Sequence, residues 1–145
     1  MRVRRGLSIL LAGVAVVGVS GTAHASSPEP AGRSTVTVQV AGHPVRCTVT
    51  ASRPKHIGTH VTATGKVQCS EAMKGMRAIM ELQRPDGHSE RFTPPSAYNT
   101  SVFGYTTSID YAGRGRYENK TWGFASPKPN QDNGINSSAL NAANL

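Results

Sequence analysis

The sequence predicts an all-β fold, an immunoglobulin-like antiparallel sandwich of about seven strands. Short segments alternate apolar and polar residues with a period of two, which is the pattern of half-buried strands. Turn residues separate these segments at regular intervals, and no segment beyond the N-terminal region has the periodicity of an amphipathic helix. The only two cysteines, Cys47 and Cys69, both lie at apolar positions of the alternation. These observations favour a disulfide-linked sandwich.

Residues 1–25 have the organisation of a secretory signal peptide. The stretch Met1–Arg5 carries three arginines, residues 7–19 are almost wholly apolar, and Ala23-His24-Ala25 supplies a small-residue cleavage site. We therefore expect cleavage after Ala25 and a secreted, extracellular protein. The apolar run is shorter than the roughly 20 residues that cross a bilayer, so we expect no stable membrane insertion.

The net positive charge of the chain limits the classes of partner that we expect it to bind. Loss of the signal peptide would leave 120 of the 145 residues and lower the formal charge from +8 to +5. A secreted basic domain is attracted to anionic surfaces, so we expect an anionic cell-wall polymer or an extracellular protein as partner. Nucleic acid is not expected, because the chain is exported and its basic residues are dispersed.

A flexible N-terminal arm at residues 26–33, rich in Pro, Ser and Gly, is predicted to precede a sandwich domain at residues 34–126. The first strand is predicted at 34–41, and Gly42 follows it as a turn. Further strands are predicted at 45–53, 60–70, 76–83, 88–93, 102–111 and 116–126. Between two of them, Arg84-Pro85-Asp86-Gly87 has the composition of a β-turn with proline at its second position.

The stretch from Cys47 to Cys69 raises the question of a metal site, because His56 and His60 lie between the cysteines. Both cysteines occupy inward strand positions, whereas the histidines lie at a hairpin tip up to ~30 Å away along an extended strand. One ion cannot bridge that distance, so a Cys47–Cys69 disulfide is predicted and no metal. The disulfide could join neighbouring strands of one sheet or cross the core between sheets.

Two candidate contact regions follow from the remaining residues. Arg53, Lys55, His56 and His60 form a cationic hairpin loop, and a solvated loop is the simpler interpretation. A candidate aromatic surface comprises Tyr98, Phe103 and Tyr105, for which ordinary core packing is the alternative.

The segment at residues 127–145 is predicted to be a flexible C-terminal tail. It is rich in Asn, Ser and Ala and contains few large apolar residues. The alternative is a segment that becomes ordered on a partner, for example by adding a strand to a sheet edge.

The strand containing HVTATGKVQC, the ELQR strand and the closing stretch GRYENKTWGFASPKP together resemble small exported β-sandwich proteins of actinobacteria, mostly without assigned activity. The similarity covers roughly residues 44–127. It implies secretion, the disulfide and the sandwich, and it implies no active site. The chain differs from antibody domains, because its cysteines are close in sequence and Trp122 follows both of them.

No catalytic motif is recognisable: there is no G-x-S-x-G, no H-E-x-x-H and no close pair of acidic residues placed for acid–base chemistry. We therefore expect no catalytic residues and no cofactor. The sequence favours a secreted non-enzymatic binding or adaptor module. The alternatives are a cationic secreted toxin or antimicrobial component, including a subunit of a secreted toxin particle, and less favourably a secreted hydrolase.

Overall fold

The computed structural model describes residues 32–128 and 135–145, and all its regular structure is strand. Its nine strands are β1 (Arg33–Val40), β2 (His43–Ala51), β3 (Lys55–Ile57), β4 (His60–Met73), β5 (Gly75–Gln83), β6 (Ser89–Phe92), β7 (Thr100–Asp110), β8 (Arg116–Ser126) and β9 (Ile135–Asn144). The predicted all-β class is confirmed. The described residues include no helix that could span a membrane.

Sheet A contains five antiparallel strands. β2 and β3 pair with successive stretches of one side of β4, at Gly65–Cys69 and at His60–Thr62, while β7 pairs along the other side. β1 lies beyond β2 and forms one edge of the sheet, and β7 forms the opposite edge. Sheet A is therefore four strands wide, because the chain leaves β2 at Ser52 and resumes pairing as β3.

Sheet B has the order β6-β5-β8-β9 and is also antiparallel. It packs against sheet A with β5 facing β7 and β4, and with β9 facing β2 and β1. The turn between β5 and β6 is the predicted one: Gly87 N–H donates to the Arg84 carbonyl across 3.0 Å, and Gly87 has a positive φ of 85°.

The core lies between the sheets and follows the alternation read from the sequence. Four residues of β2 and four of β4 are buried on the same inner side: Val45, Cys47, Val49, Ala51, Val61, Ala63, Val67 and Cys69. The predicted Cys47–Cys69 disulfide is confirmed. The two cysteines are direct partners on neighbouring strands, so the bond lies within sheet A rather than between the sheets.

Tyr117 closes the end of the sandwich near the start of β8. Its buried hydroxyl donates to the Gly113 carbonyl across 2.9 Å and accepts from the Ala112 N–H across 2.8 Å. The ring packs in a cluster with Leu82 and Ile109. One side chain therefore fixes both the turn before β8 and the core beneath it.

The structure differs from the sequence prediction at the C-terminus. The sequence predicts a flexible tail at residues 127–145, but residues 135–144 form β9, which pairs with β8 along ten residues. Ala139 and Ala143 are buried on its inner side. With β9 and the short β3, the strands number nine rather than about seven. The predicted arm ends earlier than expected, since Arg33 begins β1. The predicted signal peptide and residues 26–31 lie outside the described residues.

Candidate functional site

The outer face of sheet A is polar and basic, because the alternation that buries one side of each strand turns the other side outward. The register aligns Arg33 of β1, Thr50 of β2 and Lys66 of β4 in one row across the sheet. Four residues before Thr50 on β2, Arg46 projects from the same face. Three cations from three adjacent strands thus share one surface, which we call the cationic face (Arg33, Arg46 and Lys66).

The cationic face surrounds a shallow cavity of about 460 Å³. Its lining consists of the three cations together with Thr48, Thr50, Gln68, Cys69 and Ser70. No carboxylate lines it. Among residues 32–128 and 135–145, none of the three cations forms an ion pair, whereas Arg84, Arg91 and Arg116 all do. The cavity therefore offers positive charge and hydroxyl donors without an internal counterion, which suits an anionic ligand.

The predicted contact loop does not form a single cationic cluster. His56 lies opposite Val61 on the inner side of the β3–β4 hairpin, and its ring stacks on Tyr111 with ring centroids 3.8 Å apart. His60 contacts the Asp110 carboxylate across 3.4 Å. Lys55 and Arg53 are exposed, and Lys55 pairs with Thr62 on the outer side of sheet A. Each histidine thus contacts a residue at or just after the end of β7 and not the other cations of the loop.

Two of the three aromatic candidates lie on β7, the edge strand of sheet A, and Tyr98 lies before it, next to Ala97, which pairs with Met76 of β5. Phe103 and Tyr105 project from the inner side of β7, opposite Val67 and Gly65. Phe103 is half-buried against the core, as the core alternative anticipated. Tyr98, which precedes β7, and Tyr105 are 57% and 38% exposed. The structure therefore places Phe103 and Tyr105 on the same side of one strand, but it buries Phe103 more than Tyr105 and leaves Tyr98 outside that strand.

A basic and aromatic surface on sheet B was not identified from the sequence. Trp122 and Phe124 project outward from β8, and three cations lie over their rings. Arg77 lies 4.9 Å from the Phe124 ring centroid, while Arg91 and Lys120 lie 4.7 and 4.8 Å from that of Trp122. The signal that could have found it is the parity of β8, where alternate positions from Tyr117 to Ala125 face inward.

The inward positions of β8 are unusually small or polar. Asn119 and Thr121 are completely buried. Asn119 Nδ2 donates to the Ser52 and Thr64 carbonyls across 2.9 and 3.1 Å, and Thr121 Oγ1 donates to Asn119 Oδ1 across 3.2 Å. This network ties β8 to the place where sheet A breaks between β2 and β3. The network explains why polar residues occupy inward positions of β8, while Trp122 and Phe124 lie at the outward positions.

The candidate metal ligands are not brought together. Both cysteines are joined in the disulfide, and His56 and His60 contact Tyr111 and Asp110 respectively. In the part of the chain that the structure describes, no group of three or more His, Cys, Asp or Glu residues is placed to hold a metal ion.

Comparison with protein-family models, with curated proteins and with solved structures gives no match. The cationic face is the strongest candidate site, because it combines a cavity with unpaired charge.

Proposed function

We propose that the protein is a secreted, non-enzymatic module that binds an anionic polymer of the cell envelope on the cationic face. The observation that carries this proposal is the convergence of Arg33, Arg46 and Lys66 on one cavity with no carboxylate in its lining. Phosphate or carboxylate groups repeated along a polymer would accept charge-assisted hydrogen bonds from the three side chains. Thr48, Thr50 and Gln68 would hydrogen-bond the neutral hydroxyls of the same chain.

The proposal extends to secretion and to the type of sandwich. The N-terminal pattern and the disulfide support an extracellular location, because disulfides persist in oxidising compartments. The order β6-β5-β8-β9 and the Tyr117 hydroxyl bonded to backbone just upstream support an immunoglobulin-like topology. A protein partner, a toxin role and a hydrolase activity remain predictions from the sequence.

The test compares two triple variants of equal charge. The first variant removes the charges of the cationic face and is Arg33→Gln/Arg46→Gln/Lys66→Gln. The second removes an equal number of charges from sheet B and is Arg77→Gln/Arg91→Gln/Lys120→Gln. Binding is measured to purified cell walls, before and after extraction of their phosphate-bearing polymers, and to a soluble polyuronate and a neutral dextran. We expect the first variant to bind the anionic polymers at least about tenfold more weakly and the second to bind within about threefold of wild type.

Equal loss in both variants would mean that only net charge matters, and the proposed site would be wrong. Undiminished binding to dextran would contradict recognition of anionic groups. The extracted and unextracted walls, together with the polyuronate, distinguish a phosphate-bearing polymer from a carboxylate-bearing one.

A further inference from the structure

The outer edge of β7 is long, uncharged and bordered by exposed apolar residues. β7 pairs with β4 on one side only, so in the part of the chain that the structure describes its other backbone edge faces no strand. Thr100–Ile109 contains no ionisable side chain except the tyrosine phenol, and Asp110 at the end contacts His60. Two of the five large apolar residues that are most exposed, Val102 and Tyr105, lie on this strand, and a third, Tyr98, lies two residues before it.

Edge strands of soluble proteins are normally protected from other chains by charged residues, by proline, by bulges or by shortness. β6, the neighbouring edge of sheet B, has only four residues and carries Glu90 and Arg91. β7 has eleven residues and no charge or proline along Thr100–Ile109. Its register with β4 shifts only beside Thr100–Val102, where Thr100 Oγ1 bonds the Val102 carbonyl and N–H. The other long edges, β1 and β9, lie against each other across the sandwich, where the Ser34 and Ser137 hydroxyls are 2.6 Å apart. From Phe103 to Ile109, the β7 edge therefore lacks these protections in the part of the chain that the structure describes.

We propose that a second copy of this chain covers the β7 edge, with the two β7 strands paired antiparallel about a two-fold axis at Gly104. The charge pattern favours a second copy, because two basic molecules can approach most closely where neither carries a cation on the contacting strand. This inference is independent of the proposed polymer binding.

The register follows from the side chains of β7. With Gly104 on the axis, Phe103 of each copy lies opposite Tyr105 of the other, and Val102 lies opposite Thr106. Aromatic and β-branched cross-strand pairs of this kind stabilise antiparallel sheets. Residues that oppose each other point to the same side of a sheet, so both aromatic pairs would extend the inner face while both valines stay on the outer face.

The first experiment measures the mass in solution of the secreted protein by light scattering, at concentrations up to about 100 µM, which detects dissociation constants in the micromolar range. We expect twice the monomer mass. Val102→Lys should give a monomer, because it places two cations at the joined edges. Leu140→Lys is the matched control, since Leu140 is a 47% exposed apolar residue at the opposite edge of the molecule, and it should remain dimeric. A monomeric wild type, or dissociation by both substitutions, would overturn the proposal.

The second experiment tests the register. A Cβ added at Gly104 would have nothing nearer than the Gly65 carbonyl oxygen at 3.7 Å, so Gly104→Cys should fold normally. On the axis, the two introduced thiols would lie opposite each other, within the Cα separation that a disulfide spans, and mild oxidation should link the copies. Ser108→Cys is the control on the same strand, because four residues from the axis it would be roughly 25 Å or more from its counterpart. Linking through Ser108→Cys but not through Gly104→Cys would exclude the Gly104-centred pairing.

Discussion

The buried amide of Asn119 is the polar contact on which the attachment of β8 depends. Replacing Asn119 with Ala would leave the Ser52 carbonyl without its side-chain donor and remove the partner of Thr121 Oγ1. Because buried groups that lose a partner carry the full desolvation cost, we expect unfolding to become about 2–3 kcal/mol easier. Chemical denaturation measures the difference. Asn136→Ala, an exposed asparagine on β9, should change stability by less than about 0.5 kcal/mol, and similar losses in both variants would contradict this role.

The carboxyl of Asp86 reports on the β5–β6 turn. The hydrogen bond from Arg84, with the bond donated by the His88 backbone N–H, holds the pKa of Asp86 below its ordinary value of 3.8. A pKa that is lower in the folded state stabilises the fold above the unfolded value, and that contribution is lost as pH falls through the folded pKa. We therefore expect the turn to loosen only below about pH 4. An NMR titration of Asp86 should give a midpoint below 3.8, and Arg84→Gln should raise that midpoint. A midpoint that Arg84→Gln leaves unchanged would contradict the assigned cause.

In β9 the small residue Ala139 should contribute more to stability than the large apolar residue Leu140. Ala139 is 5% exposed beneath sheet A, whereas Leu140 is 47% exposed. Ala139→Asp would bury a carboxylate without a partner, so we expect a loss of about 3 kcal/mol or more. Leu140→Asp should have little effect on stability. Thermal unfolding of both variants checks this prediction, and equal tolerance would mean that β9 does not pack as described.

The disulfide joins β2 to β4 directly and closes a loop with a sequence separation of 22. In the chain-entropy model, closing such a loop stabilises the fold by about 3 kcal/mol. We expect Cys47→Ala/Cys69→Ala to lose a comparable amount while retaining the all-β circular dichroism spectrum, because both positions stay buried and apolar. Denaturation of the oxidised wild type and the variant gives the comparison. A variant of undiminished stability would show that the bond is dispensable.

The central strands could be predicted because their polarity alternates: every second residue is buried from Val45 to Ala51 in β2 and from Val61 to Cys69 in β4, and these positions include both cysteines. β9 could not, because Ala139 and Ala143 are small, and their burial depends on β8 offering its edge and its inner face. The outward orientation of the two aromatic residues of β8 could not be predicted for a related reason. Trp122 and Phe124 suggest core residues, but Gly123 brings β8 so close to Val49 and Val67 of sheet A that only small side chains fit inside.

The cationic face shows the same limit at the level of the whole molecule. Arg33, Arg46 and Lys66 are far apart in sequence, and Arg33 was assigned to a flexible arm, so no local pattern connects them. Their convergence depends on the register of two strand pairs. The contact loop, by contrast, is predicted from residues adjacent in sequence. In the structure its two histidines contact other residues, because His56 stacks on Tyr111 and His60 contacts Asp110.

The proposed two-fold axis at Gly104 has a consequence for how a polymer would be bound. The axis would run perpendicular to sheet A, so both cationic faces would open to the same side of the pair. A polymer long enough to reach both cationic faces would bind the second face at a high effective concentration, because it is already held by the first. Val102→Lys should then weaken retention on cell walls about 10²-fold or more while leaving affinity for a short oligomer of the same polymer nearly unchanged. Pairing through the edge of β7 would thereby lengthen the residence time of the protein on the cell envelope.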